Sequence, residues 1–164
     1  MAWTSPRTWS TGELVTASIM NTHVRDNLNA LKAPPSGKVT LTGDVSTTST
    51  SEVDLTGATT TFTTAGGAVM VFFTCTLSVA AGPVDESAQM YINIDGSDVF
   101  SQRVRLASTG AVADYKPCTM TFASASLSAG SHTVKIRWKS IGGAQVTVAA
   151  ATANAHLAAV EAWF

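Results

Sequence analysis

Charge is scarce in this sequence. Only 13% of its 164 residues are Asp, Glu, Lys or Arg, about half the share of an ordinary soluble domain. The 10 basic and 11 acidic residues leave a formal net charge of -1. That balance excludes the clustered basic excess of a nucleic-acid binder and the polybasic stretch of a membrane-surface protein. Long apolar runs are also missing. The longest candidate, Ala65 to Ala81, is broken by Thr74, Thr76 and Ser78, so no segment suits a bilayer span. Met1 to Arg7 lacks the basic-then-apolar order of a signal peptide. The chain is expected to be made and kept in a cytoplasm until something releases it.

Chemistry-bearing clusters are equally sparse. His23, His132 and His156 are scattered, and none has a second His or Cys at metal-ligand spacing. Cys75 and Cys118 are the only cysteines. They read as two buried thiols, with a disulfide across the fold as the alternative. Asp95 and Asp98 flank Gly96, where turn chemistry explains the acids better than a cation loop does. No G-x-S-x-G, P-loop or dinucleotide fingerprint occurs. The residues therefore offer no catalytic group, no metal site and no cofactor site, and a cell-wall hydrolase would need paired carboxylates that are not seen.

What is present is Thr, Ser, Ala and Gly. A surface built of them carries little repulsion and loses little side-chain entropy on contact. It suits a protein partly buried against its own copies or a larger assembly; a Thr/Ser-rich monomer is the alternative.

Two regions follow along the chain. Residues 1–36 hold the one convincing helix and a stiff linker around Pro34 and Pro35. Ser10 and Glu13 have capping-box spacing, and Thr16 is a second candidate cap. From Ala17 onward Met20, Val24, Leu28 and Leu31 make an apolar stripe, while Asn21, Arg25, Asp26 and Asn29 lie opposite. Pro34 should stop the helix near Lys32. The stripe needs a partner, either this chain's own β domain or another chain. Trp3 and Trp9 precede the helix, and Trp163 and Phe164 end the chain; aromatics so placed are unusual unless covered.

Residues 37–164 read as eight to ten short strands with turns near every ten residues, an antiparallel β-sandwich or jelly roll. Ala68 to Val79 is the strongest strand, with its odd-numbered residues on one face. Ser51–Leu55 and Thr60–Thr64 read as two weak strands, and Ala107–Lys116 as a loop. Val134, Ile136 and Trp138 share one face, inward or outward, against a row of Lys135, Arg137 and Lys139. That basic row is one solvated strand face, with an acidic partner or a glycan as the alternative.

The segment Trp9 to Leu28, written W-x-T-G-E-x-V-T-A-x-x-M-N-x-x-x-R-D-N-L, resembles an N-terminal motif of tailed-bacteriophage structural proteins. The remainder is similar in pattern to trimeric jelly-roll heads of the tumour-necrosis-factor or C1q type, the stretch Leu127 to Trp138 most of all. The resemblance implies a non-enzymatic virion protein, assembled in the host cytoplasm. It would be a homotrimeric tail or fibre-tip knob anchored to another virion protein by its N-terminal helix. A host-surface glycan is its candidate ligand. Capsid decoration is the alternative role. The implied anchor and subunit contacts are Trp3, Trp9, Met20, Asn21, Val24, Arg25, Asp26, Leu28, Leu31, Trp163 and Phe164. Nucleic acid and membrane insertion are not expected.

Overall fold

A computed structural model describes residues 4, 5, 7–110 and 112–162, with the side chains of all but Pro83 and Thr109. Trp3, Trp163 and Phe164 lie outside the described residues. The chain divides into two compact units, Met1–Pro35 and Ser36–Phe164.

In the first unit the helix runs as α1 (Ala17–Met20), a π-helical turn (Asn21–Arg25) and α2 (Asp26–Lys32). Its start is set by Thr16, whose hydroxyl accepts from the Ile19 N–H at 3.3 Å. The Ser10/Glu13 box makes a separate turn instead. Glu13 N–H donates to the Ser10 carbonyl at 3.1 Å, and the Glu13 carboxylate accepts from the Ser10 N–H. Two intervening residues, Leu14 and Val15, separate that turn from Thr16, so the capping-box reading gave the right contact at the wrong place. Ala33 leaves helical geometry ahead of Pro34, as the proline requires.

The second unit is a jelly roll of ten strands in two antiparallel sheets. They are β1 (Ser36–Leu41), β2 (Val45–Thr47), β3 (Val53–Thr64), β4 (Ala68–Val79), β5 (Gly82–Ile94), β6 (Ser97–Gly110), β7 (Asp114–Ala123), β8 (Gly130–Ser140), β9 (Val146–Val148) and β10 (Ala155–Ala162). One sheet runs β3-β8-β5-β6. In the other, β4 takes β7 along one edge, and β10 followed by β9 along the opposite edge. β1 and β2 then extend β10 and β9 outward, so this sheet is also four strands wide.

Period-two alternation explains the packing. Val69, Val71, Phe73, Cys75, Leu77 and Val79 all turn into the core from β4, and each is at least nine-tenths buried. From β8, Val134, Ile136 and Trp138 turn inward to meet them. Phe100 of β6 and Phe122 of β7 close the gap between the sheets on one side, with ring centroids 6.2 Å apart.

Two expectations need correcting. Ser51–Leu55 and Thr60–Thr64 are parts of the single strand β3. Its register on β8 shifts between Asp54 and Thr59, an irregularity that spans Leu55, Thr56, Gly57 and Ala58. Ala107–Lys116 is not a loop of ten residues. β6 pairs with β5 as far as Gly110, and β7 begins at Asp114. Both stretches lie where few large apolar residues mark the strand, because sheet pairing rather than core burial holds them.

Candidate functional site

The N-terminal unit carries an open groove of about 320 Å³ between its extended start and its helix. The wall is Trp9, Val24, Leu28 and Leu31, with Arg7 and His23 beside them. Asn27 builds it. Its side chain donates to the Thr4 carbonyl at 2.9 Å and accepts from the Thr4 N–H at 2.9 Å, as a neighbouring strand would. It also donates to the His23 carbonyl at 3.2 Å. Asn27 is thus the positioning residue of this unit, and it lies inside the motif read from the sequence without being singled out there. The available signal was a polar residue flanked by His23 and Ala30 at i−4 and i+3, a spacing that makes a second helix face.

The expected anchor residues split. Met20, Val24, Leu28 and Leu31 form one exposed apolar row, Leu28 being 60% and Leu31 53% accessible. Trp9 is exposed as well, with the Arg7 guanidinium 5.3 Å above its ring, and Arg7 is ion-paired to Glu13. Asn21 is exposed in the π-helical turn. Arg25 and Asp26 bond to each other at 2.8 Å, which leaves them a neutral pair on the helix surface. The Nδ1 of His23 is buried with no hydrogen-bond partner among the described residues.

On the jelly roll, the basic row is not a free basic patch. Lys135 meets Asp54 at 2.9 Å, Lys139 meets Glu52 at 2.9 Å, and Arg137 meets Asp98 at 2.7 Å and Asp54 at 3.5 Å. Lys139 also stands 5.7 Å over the Tyr91 ring. The Lys139 ammonium and the Tyr91 hydroxyl hold the Glu52 carboxyl below its usual range. The outer face of β3-β8-β5-β6 is therefore a lattice of paired charges. Exposed pairs of this kind each contribute little to stability, and they leave none of the three β8 cations unpaired.

Asp95 and Asp98 serve different partners. Asp98 accepts from Asn93 and Arg137. Asp95 accepts from the Thr133 N–H at 2.9 Å and contacts Nδ1 of His132 at 2.6 Å. The other His132 nitrogen faces the Ser128 carbonyl at 2.8 Å. Both ring nitrogens thus point at acceptors, which favours the doubly protonated ring. Asp95 first, and then the Ser128 carbonyl, raise the His132 pKa above its ordinary 6.5. A raised folded-state pKa contributes stability that is fully present below the unfolded pKa and is lost as pH rises through the folded one. The urea midpoint of the wild type is accordingly expected to fall between pH 6 and pH 9, whereas that of His132→Gln should stay flat there. Equal slopes for both proteins would remove His132 as the cause.

Cys75 and Cys118 are free, buried and directly opposite across β4 and β7. The Ser124 N–H donates to Val69 O, and the Ala149 N–H to Thr76 O. Odd-numbered residues of β4 therefore make the hydrogen-bonded pairs with β7. Such pairs have Cα atoms about 5.5 Å apart and Cβ atoms at the wide end of their range, whereas a disulfide draws Cβ atoms to about 3.8 Å. The pair sits as two thiols, and contact with Cys118 together with burial pushes the Cys75 pKa up. Among the described residues no three His, Cys, Asp or Glu side chains come together as a metal site. His156 bonds to Thr40 at 3.1 Å, far in sequence from the other two histidines.

No family model matches the chain, and no curated protein matches it. Similar folds occur among solved structures. A ruminal GH26 endo-beta-1,4-mannanase is 14% identical, with a TM-score of 0.31 over 72% of this chain and 21% of its own. The VP2 subviral particle protein of infectious bursal disease virus is 15% identical, with a TM-score of 0.36 over 77% of this chain and 37% of its own. A family 35 carbohydrate binding module from Clostridium thermocellum is 14% identical, with a TM-score of 0.33 over 79% of this chain and all of its own. The chain spans about a fifth of the mannanase and just over a third of the VP2 chain. These are likenesses of a β-sandwich architecture, which unrelated activities share.

Proposed function

We propose that this chain is a non-enzymatic structural protein of a phage virion. In this reading it is a small homotrimeric tail or fibre-tip knob, held to another virion protein by its N-terminal unit. The exposed row Met20, Val24, Leu28 and Leu31 carries the reading. A unit of this size is too small to hold a full core of its own, yet Asn27 and Thr16 fix its shape with specific hydrogen bonds. A shaped small unit that leaves its largest apolar side chains outside is suited to completion by a partner. The jelly roll, by contrast, has its own continuous core.

The test is incorporation. Particles assembled with the double variant Leu28→Asp, Leu31→Asp should contain at least tenfold less of the protein than wild-type particles, as counted by quantitative mass spectrometry. The purified variant should keep the wild-type far-ultraviolet spectrum. Undiminished incorporation would overturn the anchor. The same count assigns the location: a handful of copies fits the tail, and hundreds fit a decorated shell.

A further inference from the structure

We infer that the outer face of β5 and β6 binds an acidic polysaccharide, with one acid group of the polymer seated on Arg103. The place of the site rests on the jelly roll alone; that such a polymer belongs to a host surface rests on the virion reading above.

The site follows from the charge on this face that is not spent. Lys135, Arg137 and Lys139 of β8 are held by Glu52, Asp54 and Asp98. On β6, Arg105 is held by Asp85 through two hydrogen bonds, at 2.9 Å and 2.7 Å. Glu86, close by, gives its carboxylate to the N–H groups of Ser87, Gly142 and Ala144. Arg103 is exposed on the same strand face as Arg105, and it meets no acid among the described residues. The two arginines are two residues apart on one strand, about 6.6 Å along it, so the pairing of Arg105 leaves a net positive charge at Arg103. A guanidinium presents parallel donors that fit the oxygens of a carboxylate or a phosphate.

The neighbours of Arg103 suit a sugar. Gln89 stands opposite it in the register of β5 and β6. It is half-buried, and its amide makes no hydrogen bond among the described residues. An amide both donates and accepts, as a sugar hydroxyl does. A shallow hollow lies on each side of this pair. One, of about 250 Å³, has Ile141, Ser87 and Arg105 in its wall. The other, of about 230 Å³, has Tyr91, Val99, Phe100 and Ser101. Ser87 and Tyr91 are four residues apart on β5, about 13 Å along the strand. Each hollow thus sets a serine beside apolar side chains, the mixed lining that takes both the hydroxyls and the C–H face of a pyranose. Open hollows in line, with a cation between them, fit an extended polymer that carries an acid group. The net charge of -1 disfavours nucleic acid as that polymer.

Isothermal titration of the full chain tests the site with oligogalacturonate, the same oligomer with its carboxylates methyl-esterified, and poly(glycerol phosphate). At low salt the wild type should bind an acidic polymer at about 1 mM acid groups or tighter, and should not bind the ester. Binding of oligogalacturonate makes the recognised acid a uronate, and binding of poly(glycerol phosphate) makes it a phosphodiester. Arg103→Gln should weaken the binding about tenfold, the share of one charge-assisted contact, and Gln89→Ala about threefold. Lys38→Gln removes an equal charge from β1 of the other sheet and should leave the binding unchanged. No binding of either acidic polymer, equal binding of the ester, or an equal loss in Lys38→Gln would overturn the inference and leave Arg103 as a guard against edge pairing of β6. Equal binding of poly-glutamate would overturn the assignment to a polysaccharide. Binding by a protein that fails to enter particles would count against the virion reading alone, and a protein that enters them without binding would count against this inference alone.

Discussion

Glu86→Ala is expected to lower the unfolding free energy by about 4 kcal/mol, because several buried donors lose one acceptor at once. Glu86 lies on β5 and is 4% exposed. One carboxylate oxygen accepts from the Ser87 N–H at 2.6 Å and the Gly142 N–H at 2.7 Å, and the other from the Ala144 N–H at 2.8 Å. The carboxylate therefore does the work of a strand for the turn between β8 and β9. A Cβ on Gly142 would stand 2.9 Å from it, so the chain must be bare there to come close enough. Burial pushes the Glu86 pKa up, but the donors at Ser87, Gly142, Ser140 and Ala144 together outweigh it, and the net shift is down. A lowered folded-state pKa gives stability that is present above the unfolded value, near 4.5, and is lost as pH falls through the folded one. Glu86→Gln keeps the shape but turns an amide group toward N–H donors, so it should cost about 2 kcal/mol and flatten the acid limb of the stability curve. Urea unfolding at pH 7 and pH 4 measures both effects. A loss below about 1 kcal/mol for the alanine variant would mean that water satisfies these donors and that the turn is open in solution.

The same device recurs at the opposite connection. Glu161 of β10 is 2% exposed and accepts from the Ala65 and Gly67 N–H groups of the β3–β4 turn. Neither glutamate was legible as a clamp in the sequence. Glu86 reads there as half of an Asp85-Glu86 pair and Glu161 as a single acid, and the turn each holds is 56 or 94 residues away. The Gly66-Gly67 and Gly142-Gly143 pairs, by contrast, mark turns in the sequence itself, because the need for a bare backbone is local. The faces of β4 and β8 were legible for a similar reason: alternation is a short-range pattern with one long-range consequence. Whether Val134, Ile136 and Trp138 point inward is not local, since it depends on which sheet lies behind them. Asn27 shows the converse case. Its motif was visible, but its role depends on Thr4, 23 residues upstream. The ion-pair lattice escaped too, because Glu52 and Asp54 meet β8 only through the register of β3.

Trp138→Ala is expected to be among the most damaging single changes in the jelly roll. The indole is 1% exposed on β8, an inner strand, with Met90 of β5 and Val53 of β3 as its register partners. Truncating a buried tryptophan costs about 3–5 kcal/mol, out of the roughly 5–15 kcal/mol that separate folded from unfolded states of a domain. The position of the damage within that range depends on whether the strand can relax into the cavity. A one-residue slip of β8 would turn Lys135, Arg137 and Lys139 into the core and break their pairs with Glu52, Asp54 and Asp98. That route costs more than the cavity, so the register should hold and the loss should lie near the top of the range. Trp138→Phe, which keeps an aromatic ring and leaves a smaller void, should cost about 1–2 kcal/mol. Urea unfolding of the three proteins orders them directly. Near-equal midpoints for the alanine variant and the wild type would mean that β8 does not place its indole between the sheets. The inward assignment of Val134 and Ile136, which shares the same alternation, would then fall with it.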